Sequence, residues 1–369
     1  MTKTKTKTKT KTKTKTKINN KIKTKTKPKS KTKNNSLLDK IVISKIIGIG
    51  GNGTIYLAKD DKGNEYAYKI SKMLPKDIKK SLTSEYWREI DFANNVANKY
   101  IDHFMYLYES KIDNACKYNM IKEEDFIDLD KSSEMYKKQY AIYHSKYCNI
   151  KLWSLIDQTM KEYFEKNYKK SVYYDLFIQI IYIVYLIDKH GYSHNDLHSE
   201  NIALKKTNKK VIKILGKEIQ THGFLVQAID YGYVVNKKHI YNQENNYNDL
   251  NYILQYFVID SSKYHNYYKN KVNKDNYDWY FEVDYEIPIK DKELLLNLLP
   301  KKQLKNKEQL IQKLYKLLFT EKWQRAVLND TYIKTIPIEL RIPLNIILYI
   351  IKNIDDVTKV LHYVINNKN

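Results

Sequence analysis

The stretch from Lys40 to Ser71, KIVISKIIGIGGNGTIYLAKDDKGNEYAYKIS, decides how the chain is to be read. β-rich runs flank the glycine cluster Gly48–Gly53, and another follows the polar turn Asp60–Asn64. Such runs, joined by Asp, Gly and Asn, predict strand, glycine loop, strand, tight turn, strand. The glycines fit G-x-G-x-x-G, a pattern that also opens dinucleotide-binding folds. In those folds a helix follows directly, so that its N-terminus meets a pyrophosphate. Thr54–Asp60 is strand-like and doubles back, so the segment predicts a β-hairpin lid over phosphates instead. Gly48, Gly50 and Gly53 admit close backbone approach in such a lid. Ile49, Gly51 and Asn52 complete the loop, and Ile55 is placed to cover an adenine.

Downstream residues sharpen that reading. Lys69, in YAYKIS, falls on what should be a central strand, where a lysine can neutralise phosphates if a carboxylate holds it. Glu89 in YWREIDF is the candidate, by its spacing after Lys69 and its apolar neighbour Ile90. Glu85 lies one helical turn away on the same face and remains open as the alternative.

A second polar cluster, His194–Asn201 (HNDLHSEN), follows the strongly apolar helix YYDLFIQIIYIVYLIDKHG, which closes at Gly191. Phosphoryl transfer needs a carboxylate to orient the attacking hydroxyl and an oxygen ligand for Mg²⁺. Asp196 and Asn201 suit those two roles, with His194 packing behind the loop. Asp230, in AIDYGY after the apolar run FLVQA, suits a second Mg²⁺ ligand on a backbone turn.

The formal charge of +24 is unevenly spread: residues 1–36 hold 15 lysines and no acid, which leaves +9 on the rest. Lys-Thr alternation offers no apolar face, so this tail is expected to be disordered. A solvated tail and a weak contact with nucleic acid or an acidic surface are both open to it. Cys116 and Cys148 are expected to form no disulfide framework, and a reducing intracellular location is the default. No signal peptide is seen at the N-terminus. Leu176–Ile187 reads as a buried helix, too short to span a bilayer, so no transmembrane segment is expected. Further strands are expected at FMYLYES, QYAIYHS, KVIKILG and FLVQAID, a polar insert at about 111–138, and mostly helix after Asp249.

In this order the motifs resemble the eukaryotic-type protein kinase superfamily over roughly Lys40 to Phe257. The lysine-rich tail, the Asn/Ile/Tyr-rich composition and the HNDLH form resemble divergent serine/threonine kinases of giant DNA viruses. The resemblance implies an α+β, bilobal kinase-like fold: a basic tail at 1–36, a β-rich N-lobe at 37–145 and a mainly helical C-lobe at 146–369. It implies ATP with Mg²⁺ as cofactors, Ala67 and Lys69 beside the nucleotide, and Asn201 and Asp230 at the metal. Asp196 would be the base, acting with Lys69, Glu89 and His198. The implied partner is a protein substrate presenting Ser or Thr, and the implied location is a host cytoplasm or a virion.

The departures from the family matter too. Asn195 stands where many protein kinases have an arginine that reads a phosphorylated activation loop. A long hairpin is expected between Asn201 and Asp230, no A-P-E motif is visible, and Asp249 is the candidate anchor of the catalytic loop. His198 replaces the catalytic-loop lysine and is expected to be a largely neutral donor. These features keep a small-molecule phosphotransferase of the aminoglycoside or choline kinase type open, and with it a pseudokinase scaffold.

Overall fold

The computed structural model describes residues 36–50, 53–116, 130–167, 169–239, 248–257 and 341–368. The Lys-Thr tail, Gly51 and Asn52, residues 117–129 of the polar insert, and the expected helical stretch 258–340 lie outside these residues. Leu37–Asn369 clusters as one compact unit.

The quoted stretch forms three antiparallel strands, β1 (Val42–Gly50), β2 (Gly53–Lys59) and β3 (Glu65–Met73). The β2–β3 turn is closed by Asp60, whose Oδ1 accepts from the backbone N–H groups of Lys62 and Asn64, both at 2.9 Å. The Asn64 side-chain amide, which donates to Oδ2 at 2.8 Å, joins those bonds and the Tyr66 hydroxyl in holding the Asp60 carboxylate down at about 2. Gly53 has φ +146°, and a Cβ there would meet the Ile70 carbonyl oxygen at 2.5 Å. Glycine is therefore required by packing against β3, whatever else the loop does.

β4 (Leu107–Asp113) and β5 (Tyr147–Ser154) complete a sheet of order β1-β2-β3-β5-β4, with β3 at its centre. β5 pairs with β3 along its whole length, Tyr66 to Ser154 and Met73 to Tyr147. The division at residue 145 therefore cuts through the sheet, which runs on to Ser154. Pairing between strands so far apart in sequence has no local signal. QYAIYHS is also corrected: it lies in helix α2 (Glu134–Tyr143), capped by Ser133, whose hydroxyl accepts from the Tyr136 N–H at 3.1 Å. α1 (Glu85–Asn95) precedes β4 and buries Tyr86, Glu89, Phe92 and Ala93, a single helical face.

β4 and β5 also overturn the expectation for the cysteines. Asp113 of β4 faces Cys148 of β5, so the chain just past β4 brings Cys116 onto Cys148 as a disulfide, with Cα atoms 5.3 Å apart. The 32-residue separation hides the pairing from a reading of spacing alone.

After β6 (Gln158–Thr159) come α3 (Met160–Asn167) and α4 (Lys170–Lys189). α4 is twenty residues, long and apolar enough to cross a membrane, which corrects the shorter span expected for it. Most of it is buried in this protein, including Leu176, Phe177, Ile180 and Ile187. Gly191, at φ +77°, ends it as expected. β7 (Tyr192–Ser193) leads to the polar loop, followed by β8 (Ile202–Lys206) and the hairpin β9 (Val211–Ile214) and β10 (Lys217–Gln220). β11 (Phe224–Ala228) pairs with β8, and β12 (Val235–Asn236) pairs with β7. Helices α5 (Asp249–Phe257), α6 (Leu344–Lys352) and α7 (Val357–Asn366) are the last described elements. The chain is thus α+β, with a β-rich N-terminal region and helices later.

Phe92 of α1 links the parts. Its ring packs edge-on against Phe104 and Tyr192 and tilted on Tyr231, with centroids 4.8–5.6 Å away. One apolar core runs from Ala67 and Trp153 through α4 to α7. Each fully buried Leu, Ile or Phe in it contributes about 1.5–3 kcal/mol.

Candidate active site

A cavity of about 570 Å³ opens where the sheet meets the turn at Asp230. That is the size of a small-molecule site. Ile47, Ile55, Ala67, Met105, Trp153 and Leu155 give it apolar walls, while Lys69, Glu89, Asn201 and Asp230 supply polar groups. Seven residues expected at the site therefore line one space: Gly53, Ile55, Ala67, Lys69, Glu89, Asn201 and Asp230. Gly48 and Ile49 stand on β1 outside that lining, and Ile49 is exposed. Gly50 ends β1, and Gly51 and Asn52 lie outside the described residues.

Register explains the polar cluster. Lys69 lies mid-β3 and is buried, so its ammonium must find carboxylates. Its Nζ is 3.2 Å from Asp230 Oδ1 and 3.4 Å from Glu89 Oε1. Burial opposes the charge, but Glu89, Asp230 and Glu85 outweigh it and raise the lysine's pKa above its ordinary value. Asp230 is held below the carboxylate range: burial resists, and the charge of Lys69 prevails. Asp230 is itself left-handed at φ 57°, and 3.0 Å joins the Ile229 N–H beside it to the Asn201 carbonyl. That bond extends the β8–β11 ladder past Ile202–Ala228 and sets Asp230 next to Asn201.

Glu89 rather than Glu85 holds Lys69, yet its shorter contact is elsewhere. Lys151 of β5, directly across the ladder from Lys69, puts its Nζ 2.7 Å from Glu89 Oε2. Both partners are almost wholly buried, with side chains 1% exposed. Burial pushes Lys151 below its ordinary range despite Glu89. For Glu89, burial is outweighed by Lys151 and then Lys69, and its pKa is lowered. Sequence reasoning missed Lys151; the signal was a lone lysine inside the apolar run Ile150–Trp153.

Glu85 sits a turn earlier against Gly232, where a Cβ would meet its Oε1 at 2.8 Å. Burial and the neighbouring Glu89 charge raise it to about 7. Arg88 binds the same turn, with Nε and Nη2 donating to the Gly232 carbonyl at 3.2 and 2.7 Å.

The polar loop is assembled by backbone bonds to one carboxylate. Asp249, buried at the start of α5, accepts from the N–H groups of His194 (2.8 Å) and Asn195 (2.9 Å) and from the Ser193 hydroxyl (3.3 Å). This is the anchor expected of Asp249. Asn195 takes φ 63° there, and its side-chain amide donates to the Tyr233 carbonyl at 3.1 Å. His194 is buried, which lowers its pKa, and its ring reaches the Ile229 carbonyl at 3.2 Å.

Asn201 Nδ2 donates to the Asp196 backbone carbonyl (2.8 Å) and to its Oδ2 (2.9 Å). Asp196 and His198 are thus tied through Asn201 to the cavity without lining it. His198 Nδ1 accepts from the Glu200 N–H at 3.3 Å, which leaves Nε2 facing Asp196 Oδ2 at 3.6 Å. Burial works against its charge, but the hydrogen bond and charge of Asp196 outweigh that and raise its pKa. With Nδ1 accepting, Nε2 carries the ring proton towards Asp196, which is the neutral donor expected, while Asp196 draws the ring towards its charged form.

Among the described residues no group of three or more His, Cys, Asp or Glu side chains is placed to hold a metal ion. Asp230 and Asn201 form a pair of oxygen donors beside Lys69. That set suits a cation that takes its remaining ligands from phosphate and water. Compared with protein-family models and with curated proteins, the chain matches none.

Proposed function

We propose that this chain transfers a phosphoryl group from ATP, with Mg²⁺, to a hydroxyl group, and that the hydroxyl belongs to Ser or Thr of a protein. The observation that carries the reading is one apolar-walled cavity holding Lys69, Glu89, Asp230 and Asn201, drawn from four separate parts of the chain. In this reading the described regions are the two lobes of a kinase-like fold.

Ile55 and Ala67 enclose the base, and Lys69 neutralises phosphate charge. Asp230 and the side-chain oxygen of Asn201 hold Mg²⁺, which supplies charge neutralisation when bound. Asn201 and His198 both address Oδ2 of Asp196, so Oδ1 is the oxygen that receives the hydroxyl proton. His198 turns Nε2 towards Asp196 Oδ2 and so steadies that carboxylate.

A small-molecule acceptor is the second reading. It is favoured by the His198–Asp196 contact and by α5 beginning at Asp249, which leaves only Val234–Asn248 after the Asp230 turn. Incubation with labelled ATP, Mg²⁺ and a panel of basic proteins, acidic proteins and amino sugars tests both. Label on a protein Ser or Thr supports the first reading, and label on a sugar supports the second. No transfer to any of them, with no ATP hydrolysis, overturns the assignment.

A further inference from the structure

The contact between Lys151 and Glu89 does more than neutralise a charge. Glu89 divides its two oxygens between two lysines, Oε2 to Lys151 at 2.7 Å and Oε1 to Lys69 at 3.4 Å. Lys151 lies on β5, a strand bonded on both sides, by β3 and β4. Its side chain is 1% exposed, with the Tyr86 ring of α1 5.5 Å away as a second neighbour. Lys69 has a second anion, Asp230 at 3.2 Å, and faces the cavity. The two lysines therefore differ in what they are free to do. Moving Lys69 towards a ligand leaves Glu89 still bound; moving Lys151 leaves Glu89 with its weaker partner only.

Three other contacts act in the same sense. Arg88 fastens the first turn of α1 to the Gly232 carbonyl through both Nε and Nη2, and Phe92 packs on Tyr231. None of them involves Lys69, and Asn195 offers no guanidinium that a phosphorylated loop could recruit.

We propose that Lys151 is a positioning residue: it pins Glu89, and with it α1, against β5, so that Lys69 is released to serve the phosphates. The proposal rests on the phosphoryl-transfer reading for its consequence, but the latch itself is a property of the fold. A helix held this way is already in place before any ligand or modification reaches the site.

Amide hydrogen exchange across Glu85–Asn95 in the full chain tests the latch directly. Lys151→Met is expected to speed exchange about tenfold or more, Lys69→Met less than about threefold, and Lys151→Arg to match the parent. Equal acceleration by the two methionine variants, or a larger effect from Lys69→Met, overturns the latch. Should Lys151→Met fail to fold, Lys151→Met/Glu89→Gln leaves no unpaired buried carboxylate. Compared with Glu89→Gln alone it is expected to differ less than about twofold in α1 exchange, and a larger difference shows that Lys151 does not act through Glu89.

ATP turnover supplies the second arm. Lys151→Met is expected to lower kcat about tenfold with little change in KM, and Lys151→Arg to recover most of it. An active parent indifferent to Lys151→Met removes the positioning role and leaves the functional reading standing. An inactive parent sinks the functional reading, and the exchange result still decides the latch.

Discussion

The two halves of the candidate site are built on opposite principles. The half formed by β3, β5 and α1 packs Lys69, Lys151 and Glu89 almost out of reach of water. The half formed by the loop after β7 keeps Asp196 and His198 about one-quarter exposed and hangs their backbone from a single buried carboxylate, Asp249. Charges in the first half hold one another, and their positions are set by strand register. Asp196 and His198 in the second half are left in contact with solvent. Buried and partly exposed charges are thus assigned to different parts of the chain.

The sharpest way to break this contrast is Glu89→Ala. It leaves two buried lysines short of a carboxylate and is expected to lower stability by about 3–5 kcal/mol in urea unfolding. The equivalent cut in the loop half, Asp249→Ala, strands the His194 and Asn195 N–H groups and should cost about 3 kcal/mol. A loss there well above that of Glu89→Ala would reverse the ranking of the halves. Asp196→Asn, by contrast, should leave unfolding nearly unchanged and lower phosphoryl transfer by about 10²-fold or more. Equal turnover in variant and parent would falsify its role.

Smaller effects separate the halves by pH. Glu85 has a pKa raised from 4.5 to about 7 in the folded chain. The folded state therefore holds a proton that the unfolded state has lost. That contribution to stability is complete below pH 4.5 and disappears as the pH rises through about 7. Glu85→Gln should flatten this decline, measured as unfolding midpoints between pH 5 and pH 8; an unchanged slope would assign it elsewhere. The least effect is expected of His198→Lys, within about threefold in kcat near pH 7. Its signature is the loss of any change in rate as the parent's imidazole titrates, since a lysine stays charged through that range.

What was legible in the sequence followed from how local each signal was. The hairpin turn was readable because Asp60 closes it with bonds to its own neighbours. Asp196, Asn201 and Asp230 were readable because each sits on a short polar stretch bounded by an apolar element. The helix at Glu134–Tyr143 was misread because Tyr140–Tyr143 satisfies a strand's alternation, while the decisive cue, the Ser133 cap, lay upstream. β5 and Lys151 escaped because their meaning is non-local. Nothing near Lys151 shows that β3 lies beside it or that Glu89 of α1 reaches across. The approach of His198 to Asp196 was not readable, since it depends on a distance that sequence does not contain.

The Cys116–Cys148 bond has a consequence for how this chain comes apart. It makes the excursion between β4 and β5 a covalent ring. A protease that cuts anywhere inside that ring leaves both pieces joined, so the product migrates as one species until a reductant is added. Strand neighbours that meet across the sheet thereby stay tethered even when the peptide between them is severed.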